Sequence, residues 1–327
     1  MTPAPAAPDV TVIIPTWKAA GFIEKAVASA LASTGVSVEV VVVDDASPDD
    51  TFAAVKRLAA ADPRVKADRL AANGGPSAAR NRAIELGAGR YIAVLDADDT
   101  IAAGRLAELV RIADENGADI VVDNMIEVDE QGRRIGDGDF LKSPTFRQAC
   151  DIDLATWVDF NRPMKSGDCL GYLKPVFRRE TLTRLDQRYD TALRNSEDYY
   201  LVAHLLAAGA RMRYTPGAGY FYQRSAASTS HRLSPAQTQA WLKAEAAFRG
   251  RFSDTLKPAE TAALNARGRL LREVNQFVAA IDLMKAKRFG SFAGLLASDP
   301  ASAMNTLAFF TRIAIGKLTG RPAFQSS

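Results

Sequence analysis

The stretch Tyr91-Ile92-Ala93-Val94-Leu95-Asp96-Ala97-Asp98-Asp99 constrains the fold of this chain more than any other. Its apolar run predicts a buried strand of an α/β sheet, and the run ends in three carboxylates within four positions. Acids at a strand end need a metal ion, a cationic partner or open water, and the carboxyl ends of strands are where open α/β sheets place their ligands. On an extended backbone Asp96 and Asp98 point to one side and Asp99 to the other. Two acids on one side can share a hard cation. Mg²⁺ or Mn²⁺ suits oxygen ligands and fills its remaining positions with water and substrate phosphates, so a nucleotide diphosphate is the natural third party. The plain alternative is an acidic turn that caps a helix starting near Ile101, and it fits Asp99 better than Asp96 or Asp98.

The chain before this strand alternates strand and helix signals. Val10 to Pro15 is a compact apolar strand stopped by Pro15-Thr16-Trp17, and Phe22, Ala26, Val27, Ala30 and Leu31 follow at helical spacing. Val38 to Val43 has almost no polar interruption, which predicts a strand covered on both faces, and it ends in Asp44-Asp45-Ala46-Ser47-Pro48-Asp49. Ser47 or Asp49 can cap the next helix with Pro48 in its first turn, which leaves Asp44 and Asp45 unexplained. Val65 to Leu70 predicts a third strand. Asn73-Gly74-Gly75-Pro76-Ser77-Ala78-Ala79-Arg80-Asn81 then makes a glycine turn into a helix, a candidate anion cradle from which Arg80 reaches a phosphate or an acid on the next strand end. A plain turn with Arg80 in a surface ion pair fits the same residues. No Gly-Lys-Ser/Thr follows the turn and no Gly-x-Gly-x-x-Gly follows the first strand, which argues against a P-loop or a dinucleotide fold.

After the acidic strand, Ile101 to about Asn116 predicts a helix with Gly117 as its stop, and Asp119 to Asn124 another strand. Strands alternating with helices up to here specify a largely parallel sheet. Residues 133 to 165 carry Gly, Asp and Pro and predict loops near the active edge, a place for acceptor recognition. Tyr172 to Phe177 predicts a strand, and Arg211 to Tyr214 and Gly219 to Tyr222 two short ones. Asn195-Ser196-Glu197-Asp198 precedes a helical run from Tyr199 to Ala208, with Ser196 as its cap. Acids in a first turn complement the helix dipole, but two adjacent acids at a pocket mouth also offer a general base, of which Asp198 is the stronger candidate. Arg224, His231 and Arg232 lie in a polar loop with donors for a pyrophosphate, and His231 is a further metal-ligand candidate; an ordinary surface loop carries such residues too.

From Ser234 onward the periodicity is helical, including Leu264 to about Ala286. Ala301 to Leu318 combines Met304, Phe309, Phe310 and Ile313 with Arg312 and Lys317, a pattern suited either to an anionic membrane face or to packing within the protein. At 327 residues the chain holds one large domain, or a domain and an appendage. A net charge of +3 is too small to argue for nucleic acid. Two cysteines, Cys150 and Cys169, predict reduced thiols in a cytosolic protein, and no run is long and apolar enough to predict a membrane span. The Pro/Ala-rich residues 1–9 predict a disordered terminus rather than a signal peptide.

Pro15-Thr16-Trp17, Val43-Asp44-Asp45-Ala46-Ser47, Asn73-Gly74-Gly75 with Ala79-Arg80-Asn81, Asp96-Ala97-Asp98-Asp99 and Glu197-Asp198 together resemble, in order and spacing, the family-two inverting glycosyltransferases of the GT-A fold. The resemblance implies an α/β nucleotide-sugar-binding domain over 10–232 with a mostly parallel sheet, followed by a C-terminal helical region over 233–327. Carried over by position, Pro15, Thr16 and Asp45 hold the uracil and ribose of a UDP-sugar with Asp44 and Gly74 beside them, and Arg80 lies by the nucleotide. Asp96 lies by the ribose or sugar, Asp98 ligates Mn²⁺ or Mg²⁺, and Asp198 is the catalytic base. The chain lacks the Gln-x-x-Arg-Trp signature of processive synthases, which favours transfer of a single sugar. The pattern is similar to bacterial enzymes of exopolysaccharide, capsule or lipopolysaccharide assembly. This implies UDP-glucose as the first donor to consider, a lipid-diphosphate-linked saccharide acceptor, and a cytoplasmic protein with peripheral contact to the inner membrane face through its C-terminal helices. Two rivals remain: a non-catalytic nucleotide-sugar-binding scaffold, and a sugar-nucleotide pyrophosphorylase, which would carry a glycine-rich basic loop where this chain has Pro15-Thr16-Trp17-Lys18.

Overall fold

The computed structural model describes residues 7–136, 139–163, 167–224, 233–300 and 302–306. The chain forms two compact units: one takes in the described residues of Met1–Leu154 and Asp168–Ser228, the other those of Ala155–Gly167 and Thr229–Ser327.

The first unit opens with β1 (Val10–Thr16), α1 (Ile23–Leu31), β2 (Val38–Asp44), α2 (Thr51–Ala61), β3 (Val65–Arg69), α3 (Pro76–Leu86) and β4 (Tyr91–Val94). β5 (Thr100–Ile101), α4 (Arg105–Asn116), β6 (Ile120–Val128) and β7 (Cys150–Ile152) follow, and α5 (Leu154–Asp159) begins at the boundary between the units. The chain then contributes β8 (Val176–Arg178), α6 (Arg179–Arg184), α7 (Glu197–Ala207) and β9 (Met212–Gln223) to the first unit. These strands make one sheet in the order β3-β2-β1-β4-β8-β6-β9-β5, with β7 against β9.

The parallel sheet expected from the alternation of strands and helices occupies the β3-β2-β1-β4 half, where each pairing is parallel. The other half is mixed. β8 runs antiparallel to both β4 and β6, while β6 and β9 are parallel. The two short strands expected after Arg211 are one strand, β9, whose pairing with β6 shifts register at Asp123 and Asn124. Such a shift bends a strand and re-aims side chains, which hides its continuity from a pattern of two. β8 is half the expected run, because Leu170–Tyr172 forms a 3-10 turn before it.

β1 and β2 are buried nearly from end to end, as strands covered on both faces must be. β1 is also the point where the strand order reverses, with β2 and β3 to one side and β4 to the other. The carboxyl ends of β1, β2 and β4 therefore meet at a switch point, the place where such sheets leave a crevice.

Near its start β2 carries a buried acid, Glu39. Glu39 accepts from the Thr11 hydroxyl at 2.7 Å and from the Gly89 N–H at 3.2 Å, bonds the Ala88 N–H, and pairs with Lys66 at 2.7 Å. It thus ties β2 to β1, to β3 and to the loop that enters β4. Gly89 is needed there, since a Cβ would lie 2.4 Å from the Thr11 nitrogen.

The second unit contains α8 (Pro235–Phe252), α9 (Pro258–Lys285) and α10 (Phe289–Ser298). α8 starts in a capping box between Ser234 and Gln237, and it packs on α9 through a buried pair, Arg267 to Glu245 at 2.7 Å. The helix expected over Leu264 to about Ala286 lies within α9. Most of the stretch Ala301 to Leu318, with Phe309, Arg312 and Lys317, lies outside the described residues.

Burial pushes the Glu39 carboxyl up, but Lys66, Ala88 and Thr11 more than offset this and hold it below its ordinary value. A depressed carboxyl adds stability above its unfolded value, and that stability is lost as pH falls through the folded value. Glu39→Gln should therefore cost about 1–3 kcal/mol at neutral pH. Urea denaturation of both proteins from neutral pH into the acid range should show the difference shrinking as the pH drops below the ordinary carboxylate value.

Candidate active site

Two groups of residues collect at the switch point. The first sits where β1 and β2 end. Thr16 and Asp44 are partners in the ladder, and both are buried. Among the described residues Thr16 Oγ1 and Asp44 Oδ1 have no hydrogen-bond partner, whereas Asp44 Oδ2 takes the Ser47 N–H and Arg69 at 3.1 Å each. Pro15 is the half-buried residue beside them and Trp17 is exposed at the rim.

Asp45 is buried as well, and its partners differ from expectation. Gly74 N–H donates to Asp45 Oδ1 at 2.6 Å and Gly75 N–H to Oδ2 at 2.8 Å. The glycine turn does cradle an anion, but that anion is the chain's own carboxylate. Gly75 enters α3 at φ 84°, a left-handed value that favours glycine, and a Cβ on Gly74 would meet that of Ala78 at 2.7 Å.

The second group centres on Arg80, which is 4% exposed. Its guanidinium donates to Glu197 Oε1 at 2.6 Å and to Asp96 Oδ1 at 3.1 Å, and lies 3.4 Å from Asp198 Oδ1. The alternative of a surface pair is excluded by this burial. Its plane packs over the Tyr189 ring, 5.3 Å to the centroid. Asn81 exchanges two hydrogen bonds with the Tyr189 backbone, and Ser77 donates to the Leu193 carbonyl, so α3 holds the whole approach to α7. Ser196 does not cap α7: it takes a left-handed φ of 62° and its side chain bonds no helix N–H. Strain of this kind at a non-glycine residue persists where the surroundings impose it, and here it turns Glu197 and Asp198 toward Arg80.

β4 stops at Val94, and Asp96 to Asp99 is a turn closed by Asp99 N–H on the Asp96 carbonyl at 3.2 Å. The side-to-side alternation expected of an extended backbone does not apply. Asp99 instead plugs into β9, taking the Tyr220 hydroxyl at 2.6 Å and the Gln223 N–H at 2.8 Å, and the helix expected from Ile101 begins at Arg105. Asp96 already meets two cationic side chains. Its Oδ1 is on Arg80 and its Oδ2 is on Lys174 Nζ at 2.7 Å.

The charges distort one another. Burial would raise the Asp96 carboxyl, but Lys174 and Arg80 pull it far below its ordinary value. Burial would strip the Lys174 ammonium, yet Asp96 and Asp198 hold it above its ordinary value. Burial together with Asp198 raises Glu197 against the pull of Arg80. Asp98 is exposed at its rim but enclosed enough that burial, with Asp96 beside it, raises its carboxyl. Burial, Asp96 and Asp98 push Asp99 well up despite its two donors.

Among the described residues no group of three or more His, Cys, Asp or Glu side chains is arranged to hold a metal ion. Asp96 and Asp99 are committed as described, which leaves the Asp98 carboxylate facing out. One carboxylate fits a cation that completes its shell with diphosphate oxygens and water. His231 and Arg232 lie outside the described residues, and Arg224 pairs with Glu127 at 2.8 Å.

Lys174, Tyr189 and Tyr220 form no part of the sequence expectation. Lys174 had a signal, as the one charge in the apolar run Tyr172 to Phe177. Tyr189 and Tyr220 had none, since their hydroxyls reach the site only through the packing of distant segments.

The profile described as "Glycosyl transferase family 2" matches residues 11–180. The succinoglycan biosynthesis protein ExoO of Rhizobium meliloti is 37% identical over 293 residues, which cover 90% of this chain and 82% of that protein. Among solved structures, S. aureus TarS 1-349 in complex with UDP-GlcNAc aligns at a TM-score of 0.61 and 18% identity, over 96% of this chain and 92% of that one. The mannosyltransferase PcManGT from Pyrobaculum calidifontis, in complex with GDP-Man and Mn²⁺, aligns at 0.57 and 21% identity, over 97% and 89%. At these identities the two structures establish a shared fold.

Arg80→Met leaves buried carboxylates facing one another, and breaking a buried pair from one side costs about 3–5 kcal/mol. Chemical denaturation at neutral pH should show a loss of this size.

Proposed function

The chain belongs to glycosyl transferase family 2, and from that premise we propose that it moves one sugar, with inversion, from a UDP-sugar to a lipid-linked saccharide in exopolysaccharide assembly. The observation that carries this reading is the convergence of Asp198, Glu197, Asp96 and Arg80 at the carboxyl ends of the central strands, beside the exposed Asp98.

The nucleoside half of the donor lies at the ends of β1 and β2. Thr16 and Asp44 each offer a buried polar atom without a partner among the described residues, and Pro15, Asp45 and Gly74 complete that wall. Arg80 and Asp96 face the donor from α3 and from the turn after β4. UDP-glucose is the first donor to test.

Asp198 accepts the proton of the acceptor hydroxyl while that oxygen attacks the anomeric carbon. The bond between the sugar and the diphosphate breaks on the opposite face, and configuration inverts. Arg80 keeps the Asp198 carboxylate oriented, and Glu197 shares the load on the same guanidinium. The carboxylates of this cluster outnumber its two cations, Arg80 and Lys174, so a diphosphate entering it meets net negative charge. A Mn²⁺ or Mg²⁺ ion on Asp98 would neutralise the diphosphate as it leaves.

No helix of the described residues is long and apolar enough to cross a membrane. The second unit nonetheless has an apolar and basic end that suits peripheral contact with an anionic bilayer and a lipid-linked acceptor. α10 has no buried residue, Phe289 is 65% exposed, and Lys285, Lys287 and Arg288 precede it.

A ligand that binds the folded state raises its melting temperature, so a panel of UDP-, GDP- and dTDP-sugars with and without Mn²⁺ tests donor binding without an acceptor. A Mn²⁺-dependent shift with one UDP-sugar is expected; no shift with any nucleotide would favour a scaffold. Asp198→Asn should keep that shift while turnover falls about 10²–10⁴-fold, the range of general-base catalysis. Loss of donor binding in a folded Asp198→Asn protein would overturn its assignment.

A further inference from the structure

Both oxygens of the Asp96 carboxylate are engaged, Oδ1 by Arg80 at 3.1 Å and Oδ2 by Lys174 at 2.7 Å. The Lys174 side chain is 8% exposed, and its backbone is fixed as well. Arg105 donates to its carbonyl at 2.6 Å, and Arg105 is itself fixed by Asp123 at 2.7 Å in a pair whose side chains are 1% and 4% exposed. Asp123 also accepts the Gly219 N–H at 3.0 Å, and a Cβ on Gly219 would lie 2.9 Å from the Arg105 side chain. The Lys174 backbone is thus held from β6, from α4 and from β9 at once, and its ammonium is held by Asp96.

A carboxylate oxygen that already accepts from an ammonium is a poor ligand for a divalent cation, because the two positive charges would sit within a few ångströms of each other. We propose that Lys174 is a positioning residue that keeps Asp96 out of metal coordination, so that the divalent cation joins the site together with the donor diphosphate and not before it. The inference rests on the transferase reading above. With Lys174 in place, the exposed Asp98 is the carboxylate offered to the cation, and one carboxylate holds Mg²⁺ or Mn²⁺ weakly until phosphate oxygens complete the shell. Lys174 also bears on the base, since its charge and that of Asp198 interact across the site.

The arrangement accounts for a feature that the motif does not need. A family member that bound its metal first would gain from a second free carboxylate two residues before Asp98. This chain instead spends Asp96 on two buried cations.

The test is the electron paramagnetic resonance signal of free Mn²⁺, titrated with the full chain in the presence and absence of UDP. For the wild type, UDP should tighten Mn²⁺ binding by about 100-fold, and Mn²⁺ should tighten UDP binding by the same factor, as linkage requires. Lys174→Gln frees Asp96 Oδ2, so Mn²⁺ binding to the nucleotide-free protein should tighten by about tenfold and the effect of UDP should shrink accordingly. Lys174→Arg keeps the charge on Asp96 and should behave as the wild type. Circular dichroism establishes that each variant is folded.

Equal Mn²⁺ affinity with and without UDP in the wild type would overturn the proposal whether or not the variants fold. So would a folded Lys174→Gln protein whose nucleotide-free Mn²⁺ binding is unchanged. Failure of UDP to bind at any Mn²⁺ concentration would instead sink the UDP-sugar donor reading on which the proposal rests.

Discussion

A buried guanidinium with three carboxylates holds this site together. Arg80 comes from α3, Asp96 from the turn after β4, and Glu197 and Asp198 from the start of α7. Removing that many charges from water is expensive, and an apolar replacement of similar volume is often no less stable. Their arrangement therefore makes more sense as a means of fixing carboxylates than as a source of stability. Once Arg80 is in place, the strained Ser196 has a reason to exist, because its left-handed backbone brings two successive acids of α7 to one cation. Tyr189 closes the cluster from below, and burial raises its hydroxyl well above the ordinary value, with Asp198 adding to the effect.

A second buried pair joins the mixed half of the sheet to this cluster. Arg105 and Asp123 reach the Lys174 carbonyl and the Gly219 amide, and the Arg105 guanidinium lies over the Tyr220 ring at 5.2 Å. Tyr220 then accepts the Asp96 N–H and donates to Asp99, which spans the turn that carries Asp98. The acidic turn is consequently held at both ends, by Arg80 and Lys174 on Asp96 and by β9 on Asp99. Asp98 lies on a clamped loop, and on the reading proposed above this presents a lone metal ligand without a cage of other ligands around it.

Much of this was legible because parallel strands covered on both faces leave continuous apolar runs. Val10 to Pro15, Val38 to Val43 and Tyr91 to Leu95 announced three neighbouring strands, and the acids after them marked the edge that carries the site. Gly117 stopped α4 as its left-handed value of 60° requires. The mixed half of the sheet was harder to see. A register shift split β9 into two apparent strands, and a 3-10 turn shortened β8. Side-chain commitments were hardest of all. Nothing local in Leu173-Lys174-Pro175 says that the ammonium meets an acid 78 positions earlier, because that contact depends on β8 lying beside β4. Nor does Asn73-Gly74-Gly75 disclose which anion its amides receive.

That last point bears on how the two ends of the site divide their work. A glycine turn at a helix start commonly meets a phosphate, but here its two amides orient Asp45. The turn therefore presents a carboxylate toward the nucleoside end instead of neutralising a diphosphate. Arg80 and Lys174, the cations of the transfer end, already serve Asp96, Glu197 and Asp198. On the reading proposed above, these two cations are already committed to carboxylates and leave little charge for the donor's phosphates. On that reading the charge comes in with the donor, and the clamp on Asp96 is what makes the protein wait for it.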